Sequence, residues 1–389
     1  TNASFNTALG NASLNANTTG QYNTAVGSAA LVANTTANEN TAVGYQSLYN
    51  NTTGTENTAV GKGALNYNTT ANGNTAVGRM ALNYNTTGAG NTAVGLQALI
   101  SNQTASNNTA IGKNSLANNT TGANNAALGY QALQANTTES YNTSVGYQSL
   151  YGSTGGENTA VGYQAGYSNT ANSSTSYGYR ALYGSNTGNG QTAIGLQTLF
   201  SNTSGELNTA VGYNSMLYNT TGSRNVGLGH STLFNNTTGN NNTILGYRAG
   251  YLNTTGGQNT AVGENALRSN TTANDNVAVG REALYANVTG QKNIGIGREA
   301  LASNTSANSN TAVGYRAGFL GTTAASNTLI GHQAGYALTT ANGNTFIGAG
   351  SGDQVTTGQN NTILGRYNGN QNSLDIRTSS NNIVLSDGD

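Results

Sequence analysis

The chain has 389 residues, only 7% of them charged, with 13 basic and 13 acidic side chains and no Pro, Cys or Trp. Because the few basic residues are spread thinly, no basic face exists to neutralise a phosphate backbone, which argues against nucleic acid as a partner. The lack of Cys excludes disulfides and thiolate metal sites, and the short apolar runs exclude membrane insertion.

A five-residue motif, Asn-Thr-Ala-Val-Gly with variants, recurs along almost the whole chain. It closes on a glycine in 22 copies, spaced by 17 residues except for two steps of 16 that end at Gly162 and Gly178. Most residues of the repeat disfavour a helix, so each copy is predicted to be one coil of an all-β β-solenoid. The predicted organisation is a lead-in at 1–5, a solenoid of about 22 coils at 6–365, and a C-terminal cap or junction segment at 366–389.

Within each coil the predicted order is the motif strand, a corner, a second short extended segment such as 45–48, and an outer turn. We number the motif positions one to five. The position-four residue and the Leu that follows the glycine by four residues are predicted to form buried columns, and the position-five Gly indicates a positive φ or a crowded backbone. The predicted structural core ladder contains Val26, Val43, Val60, Val77, Val94, Leu48, Leu65 and Leu82.

Position three is usually Ala but becomes Ile244, Leu329, Phe346 and Ile363 in four coils. A strand that carries apolar residues on both faces is covered on both faces. One face then fills the coil, and the other is predicted to meet identical strands around a symmetry axis, which favours a homotrimer. A monomeric solenoid with an Ala-lined wall is the open alternative.

The position-two Thr column forms a regular hydroxyl ladder, as in ice-binding solenoids. Its replacement by Val226, Val277 and Ile294 in three coils predicts that it faces inward instead.

Asn-x-Ser/Thr triplets recur at the outer turn and would place N-linked glycans along one edge of the stack. The alternative is that Asn-Thr-Thr-Gly is simply a favourable turn sequence. The candidate acceptors are Asn17, Asn34, Asn51, Asn68, Asn85, Asn119, Asn136, Asn219, Asn236, Asn253, Asn270, Asn287 and Asn304.

No residue set suited to catalysis, cofactor binding or metal binding is evident, so a protein that is not an enzyme is predicted. His230 and His332 are six coils apart and are predicted to pack or face the surface. Glu39 and Glu56 stack at a separation that retaining glycosidases use, but no further acid or aromatic cleft accompanies them. The Arg-Glu pairs 281–282 and 298–299 occupy equivalent positions in consecutive coils and are predicted to pair diagonally, as weak surface ion pairs.

The repeated pattern Asn-Thr-Ala-Val-Gly-x-x-Ala-Leu resembles the YadA-like head repeat of trimeric autotransporter adhesins, and more closely the repeats of phage tail-fibre proteins, over residues 6–365. The resemblance implies a left-handed β-roll and a homotrimeric fibre. Residues 380–389 resemble the junction that leads into a C-terminal domain in many tail fibres.

The expected function is extracellular attachment, as a phage tail-fibre shaft on the virion or an adhesin on a cell surface. Such a fibre would present a repetitive surface to a host or to host-surface glycans. The alternative is a structural, glycan-coated extracellular filament whose subunits join end to end.

Overall fold

Each coil contributes one three-residue strand, and these strands pair in parallel to form a hydrogen-bonded stack in each unit. The computed structural model describes residues 3–387, and the chain divides into two units, residues 1–191 and 192–389. The described residues form strands and turns and no helix. Each unit is a parallel β-solenoid, and the 22 motif strands make about 22 coils of about 17 residues.

The motif strands of the first unit pair in parallel, each with the next along the chain. Partners are usually 17 residues apart, as in Thr24↔Thr41 and Ala25↔Ala42. The strands are β1 (Thr7–Leu9), β2 (Thr24–Val26), β3 (Thr41–Val43), β4 (Thr58–Val60), β5 (Thr75–Val77), β6 (Thr92–Val94), β7 (Thr109–Ile111), β8 (Ala126–Leu128), β9 (Thr143–Val145), β10 (Thr159–Val161) and β11 (Thr175–Tyr177).

The second unit repeats this arrangement and ends in an enlarged coil. Its strands are β12 (Thr192–Ile194), β13 (Thr209–Val211), β14 (Val226–Leu228), β15 (Thr243–Leu245), β16 (Thr260–Val262), β17 (Val277–Val279), β18 (Ile294–Ile296), β19 (Thr311–Val313), β20 (Thr328–Ile330), β21 (Thr345–Ile347), β22 (Thr362–Leu364), β23 (Asn370–Gln371), β24 (Leu374–Asp375) and β25 (Ile383–Leu385). Strands β23 and β24 form an antiparallel hairpin, and β25 pairs with β22. The segment predicted as a cap or junction therefore adds a coil as far as residue 387, while residues 1, 2, 388 and 389 of the predicted end segments lie outside the described part.

The segment predicted as a second extended strand is instead a series of turns. Alternate residues adopt a left-handed conformation, for example Gln46 with φ 54° and Leu48 with φ 49°. The stack nevertheless continues through this segment, since the backbone N–H of Leu48 donates to the carbonyl of Ala64 at 3.0 Å. Within each unit, main-chain hydrogen bonds thus hold each coil to the next in strand and turn alike.

The interior of each coil is filled by small and medium apolar side chains. Ala25, at position three, is fully buried, and Leu48, Leu65 and Leu82 are fully buried as well. In the first unit these columns form one continuous apolar cluster.

The prediction that position four is buried is wrong. Successive side chains of a strand point to opposite faces, so burial of the position-three residue turns positions two and four outward. Four of the predicted core valines, Val26, Val43, Val60 and Val94, are half-buried, and Val77 is 37% exposed. The position-two Thr residues lie on the same outer face, so the prediction that they point inward is wrong too.

The large residues at position three also lie inside the coil, which removes the sequence argument for a second covered face. Ile244, Leu329 and Phe346 are 0–1% exposed. Each compensates for a missing Leu six residues later in its own coil. A Cβ at Gly352, for example, would come within 2.4 Å of the Phe346 ring.

The position-five glycines meet both predicted requirements. Gly95 has φ +136°, and a Cβ there would lie 2.7 Å from the carbonyl carbon and oxygen of Gly112 in the next coil. Coils can therefore approach to strand spacing at this corner only when no side chain is present.

None of residues 3–387 belongs to a helix that is long and apolar enough to cross a membrane.

Candidate functional site

The outer face of the motif strands is the most regular surface of each unit. We call it the Thr/Val face and define it as positions two and four of β1–β11 in the first unit and of β12–β22 in the second. It consists mainly of Thr at position two and of Val, Ile or Leu at position four, with no charged residue. Neighbouring strands keep equivalent side chains in register, so each unit presents an uncharged lattice of hydroxyl and methyl groups.

The asparagines at the outer turn form a ladder inside the coils. Nδ2 of Asn51 donates to Oδ1 of Asn34 at 3.2 Å and to the carbonyl of Gly54 at 2.9 Å. Both amide hydrogens are thereby used, one between coils and one across the turn. The position-one asparagines form a second buried ladder, in which Oδ1 of Asn74 accepts from the backbone and side-chain nitrogens of Asn91.

The structure contradicts the prediction of glycan acceptors at this turn. Transfer of a sugar requires an accessible Nδ2, whereas only Asn17, in the first coil, is half-buried rather than buried. The other predicted acceptors have at most 2% of their surface exposed: Asn34, Asn51, Asn68, Asn85, Asn119, Asn136, Asn219, Asn236, Asn253, Asn270, Asn287 and Asn304. A signal was present in the sequence, because Asn169 and Asn186 keep the Asn but lack the Ser or Thr two residues later.

Aromatic side chains form rows along the corners next to the Thr/Val face. In the first unit Tyr130, Tyr147, Tyr163 and Tyr179 stack in succession at 5.2, 5.2 and 5.3 Å between ring centroids. Because neighbouring rings cover each other's faces, mainly edges and hydroxyls remain exposed. In a parallel row, burial and then the adjacent tyrosines raise the pKa of Tyr167.

Both histidines belong to such rows in the second unit. His230 lies between Tyr213 and Tyr247, at 4.9 and 5.2 Å. His332 packs on Tyr315 at 5.3 Å. The structure therefore assigns both imidazoles a packing contact.

The Arg-Glu pairs of the second unit are less superficial than predicted. The carboxylate of Glu299, with 8% of its side chain exposed, accepts from Nε of Arg298 at 3.0 Å and from Nε of Arg316 in the next coil at 2.5 Å. The hydrogen bond from Arg316 is the main reason that the pKa of Glu299 is lowered. Arg281 pairs with Glu282 at 3.1 Å on the exposed part of the same corner.

The remaining acidic candidates are exposed. Glu39 and Glu56 lie in one column before the position-one Asn, and both side chains face solvent. Among residues 3–387, no three His, Asp or Glu side chains lie close enough together to hold a metal ion.

Comparison of the chain with protein-family models, with curated proteins and with solved structures found no match.

Proposed function

We propose that this chain is an extracellular fibrous attachment protein, either a phage tail-fibre shaft or a cell-surface adhesin. The observation that supports this is repetition: every coil presents the same outward positions one strand spacing after the last, over roughly 50 Å of stack in each unit. A surface of this kind can add many weak contacts with a host or a glycan coat into useful avidity. The proposed activity is binding, with no catalytic step and no cofactor.

The proposal includes self-association through the Thr/Val face. This face is uncharged and half-buried, and a second copy has the same coil spacing, so side-chain rows of two copies can pack in register. The resemblance to trimeric adhesin heads favours three copies and a left-handed coil. We therefore place the contact between copies at positions two and four, and not at position three, where the sequence alone placed it.

Native mass measurement on the full chain tests this assembly. The expected mass is that of three chains. It should fall to that of one chain in the double variant Val60→Lys/Val94→Lys, because association would bury the two lysines of each copy in an uncharged interface. The control Thr53→Lys lies on the exposed part of an outer turn and should leave the mass unchanged. A single-chain mass for the unaltered protein would refute the trimer, and an open series of masses would favour end-to-end filaments.

Retention on surfaces tests the attachment function. The full chain, labelled with a fluorophore, should remain on at least one of a panel of bacterial cells and immobilised polysaccharides, and should dissociate more slowly as the density of binding sites rises. Absence of retention on every surface would remove the support for attachment.

The outward position of Thr favours a second candidate, binding to ice. Thr and Val in register on parallel strands form a lattice of hydroxyl and methyl groups that could order water. Inhibition of ice recrystallisation by the full chain, lost in Val60→Lys/Val94→Lys, would support it. A trimer with no effect on ice growth would leave attachment as the function.

A further inference from the structure

Three consecutive outer turns of the first unit are shorter than the turn before them. Five residues, 137–141, separate the ladder residue Asn136 from Asn142, but only four, 154–157, separate Ser153 from Asn158. The turns at 170–173 and 187–190 are equally short. The turn 137–141 is therefore longer than the turns that follow it, and an open groove of about 550 Å³ lies where the turn length changes.

Two carboxylates without a basic partner line this groove. The carboxylate of Glu139 folds over Gly156, where a Cβ would come within 3.3 Å of its Oε2. Oε2 of Glu157 accepts from the hydroxyl of Ser173 at 2.9 Å. In the part of the chain that the structure describes, the ion pairs of Lys and Arg involve other carboxylates, all in the second unit. The groove therefore has a local charge of about −2 on a unit that has only six other charged side chains.

An unstacked tyrosine stands at the edge of the groove. Tyr141 is 64% exposed, more than any other tyrosine of the described residues. The residues at its position in the adjacent coils are Asn124 and Glu157, so no neighbouring ring covers its faces. This distinguishes Tyr141 from the aromatic rows, and its largely exposed side chain lines the groove together with the carboxylates and with Asn172 and Asn189.

We propose that this groove binds a cationic saccharide, an oligomer of amino sugars, and the proposal rests on the attachment function proposed above. The ammonium groups would pair with Glu139 and Glu157, a sugar face would pack on the ring of Tyr141, and sugar hydroxyls would bond to the amides. Anionic saccharides are repelled by the same carboxylates. The site occurs once in the first unit, in contrast to the surfaces repeated in every coil.

The test measures binding of a fully deacetylated chitosan tetramer to the full chain by titration calorimetry. The buffer has low salt, a mildly acidic pH and EDTA. The tetramer should bind, and the double variant Glu139→Gln/Glu157→Gln should weaken binding at least about tenfold, since both charge contacts are removed. Tyr141→Ala should weaken it by a smaller factor. Glu39→Gln/Glu56→Gln is the matched control, because it removes two exposed carboxylates from another part of the same unit without altering the groove.

The proposal would be overturned by no binding of the tetramer by the unaltered chain, by equal binding by Glu139→Gln/Glu157→Gln, or by binding that appears only when calcium replaces EDTA. Equal affinity for the neutral, N-acetylated tetramer would also contradict the role of charge. Retention of the unaltered chain on cells separates this question from the attachment function. Retention without tetramer binding refutes the groove alone, whereas loss of retention on every surface refutes the function.

Discussion

At the scale of single residues, the fold depends on buried polar side chains most of which are hydrogen-bonded, although Oδ1 of Asn136 and Nδ2 of Asn142 have no partner. A buried amide without partners costs roughly 1–3 kcal/mol, so a ladder Asn stabilises the fold where it finds its donors and acceptors in the coils beside it. Asn91 does so completely: Nδ2 donates to Ala105 and Asn74, and Oδ1 accepts from the backbone of Asn108. Amide and acid differ at only one end of the side chain, which makes this ladder testable.

Asn91→Asp should destabilise the first unit by about 2–4 kcal/mol at neutral pH, because an oxygen replaces a donor and faces two acceptors. The new carboxyl would have a raised pKa in the folded state, so its destabilising effect should shrink as pH falls and the group is protonated. Thermal unfolding from neutral to acidic pH measures this. Asn107→Asp, at an exposed turn position, is the control and should have little effect; an equal effect of both variants would argue against the ladder.

Glu299 gives the opposite linkage in the unaltered protein. Its pKa is lowered from the ordinary value of 4.5, mainly by the hydrogen bond from Arg316. The stability that this provides is present above that ordinary value and is lost as pH falls through the lowered pKa. Glu299→Gln should therefore lower the free energy of unfolding of the second unit by about 2 kcal/mol at neutral pH, which is measured as a lower melting temperature. The difference from the unaltered chain should vanish in acid; a constant difference would show that charge is not its cause.

At the scale of the coil, the strand spacing depends on glycine where coils come closest. Position five needs Gly for two reasons, its positive φ and the carbonyl of the next coil, whereas turn glycines such as Gly73 need it for φ alone. Gly73 has φ +66° and nothing within 4 Å of the place where a Cβ would stand. The two sites separate conformational strain from steric contact.

Gly95→Ala should destabilise the first unit by more than about 3 kcal/mol, since the methyl group would overlap the backbone at Gly112. Gly73→Ala should cost only about 1 kcal/mol, the price of a left-handed Ala. Denaturant unfolding of both variants measures the difference. Equal effects would mean that the coils can separate at this corner.

At the scale of the whole molecule, the period predicted the stacking and the in-register pairing, because equal spacing places equivalent residues in equivalent slots. It did not predict which face of the strand is buried. Ala and Val are both apolar, so the pattern alone does not decide which of them points into the coil. The space beside a column Leu such as Leu48 is narrow, and the folded coil shows this at Phe346, whose ring fits inside because the column residue of its own coil is Gly352. The prediction of glycan acceptors is wrong for a similar reason: turn chemistry and glycosylation share the same triplet, and the sequence separates them only where the Asn remains without that triplet, at Asn169 and Asn186.

Deletion of residues 58–74, one whole coil, should give a folded protein. Asn57 would then precede Thr75, which restores the motif, and the stack would lose one set of neighbour contacts. The circular dichroism spectrum should keep its shape, and the slope of the free energy of unfolding against denaturant concentration should decrease slightly. Deletion of 58–65, about half a coil, is the control and should disrupt the first unit; tolerance of both deletions would contradict the stacked repeat.

The shortened turns of the first unit have a consequence for how the chain finds its pairing. The almost identical coils of one unit could slip past one another by a whole repeat with little loss of energy, both while one copy folds and when copies associate. The first unit contains two steps of 16 residues, and they are consecutive, so a slip by a whole repeat sets a step of 16 against a step of 17 at both ends of this pair. The irregular turns around Ser153 therefore disfavour out-of-register pairing and fix the alignment of the coils.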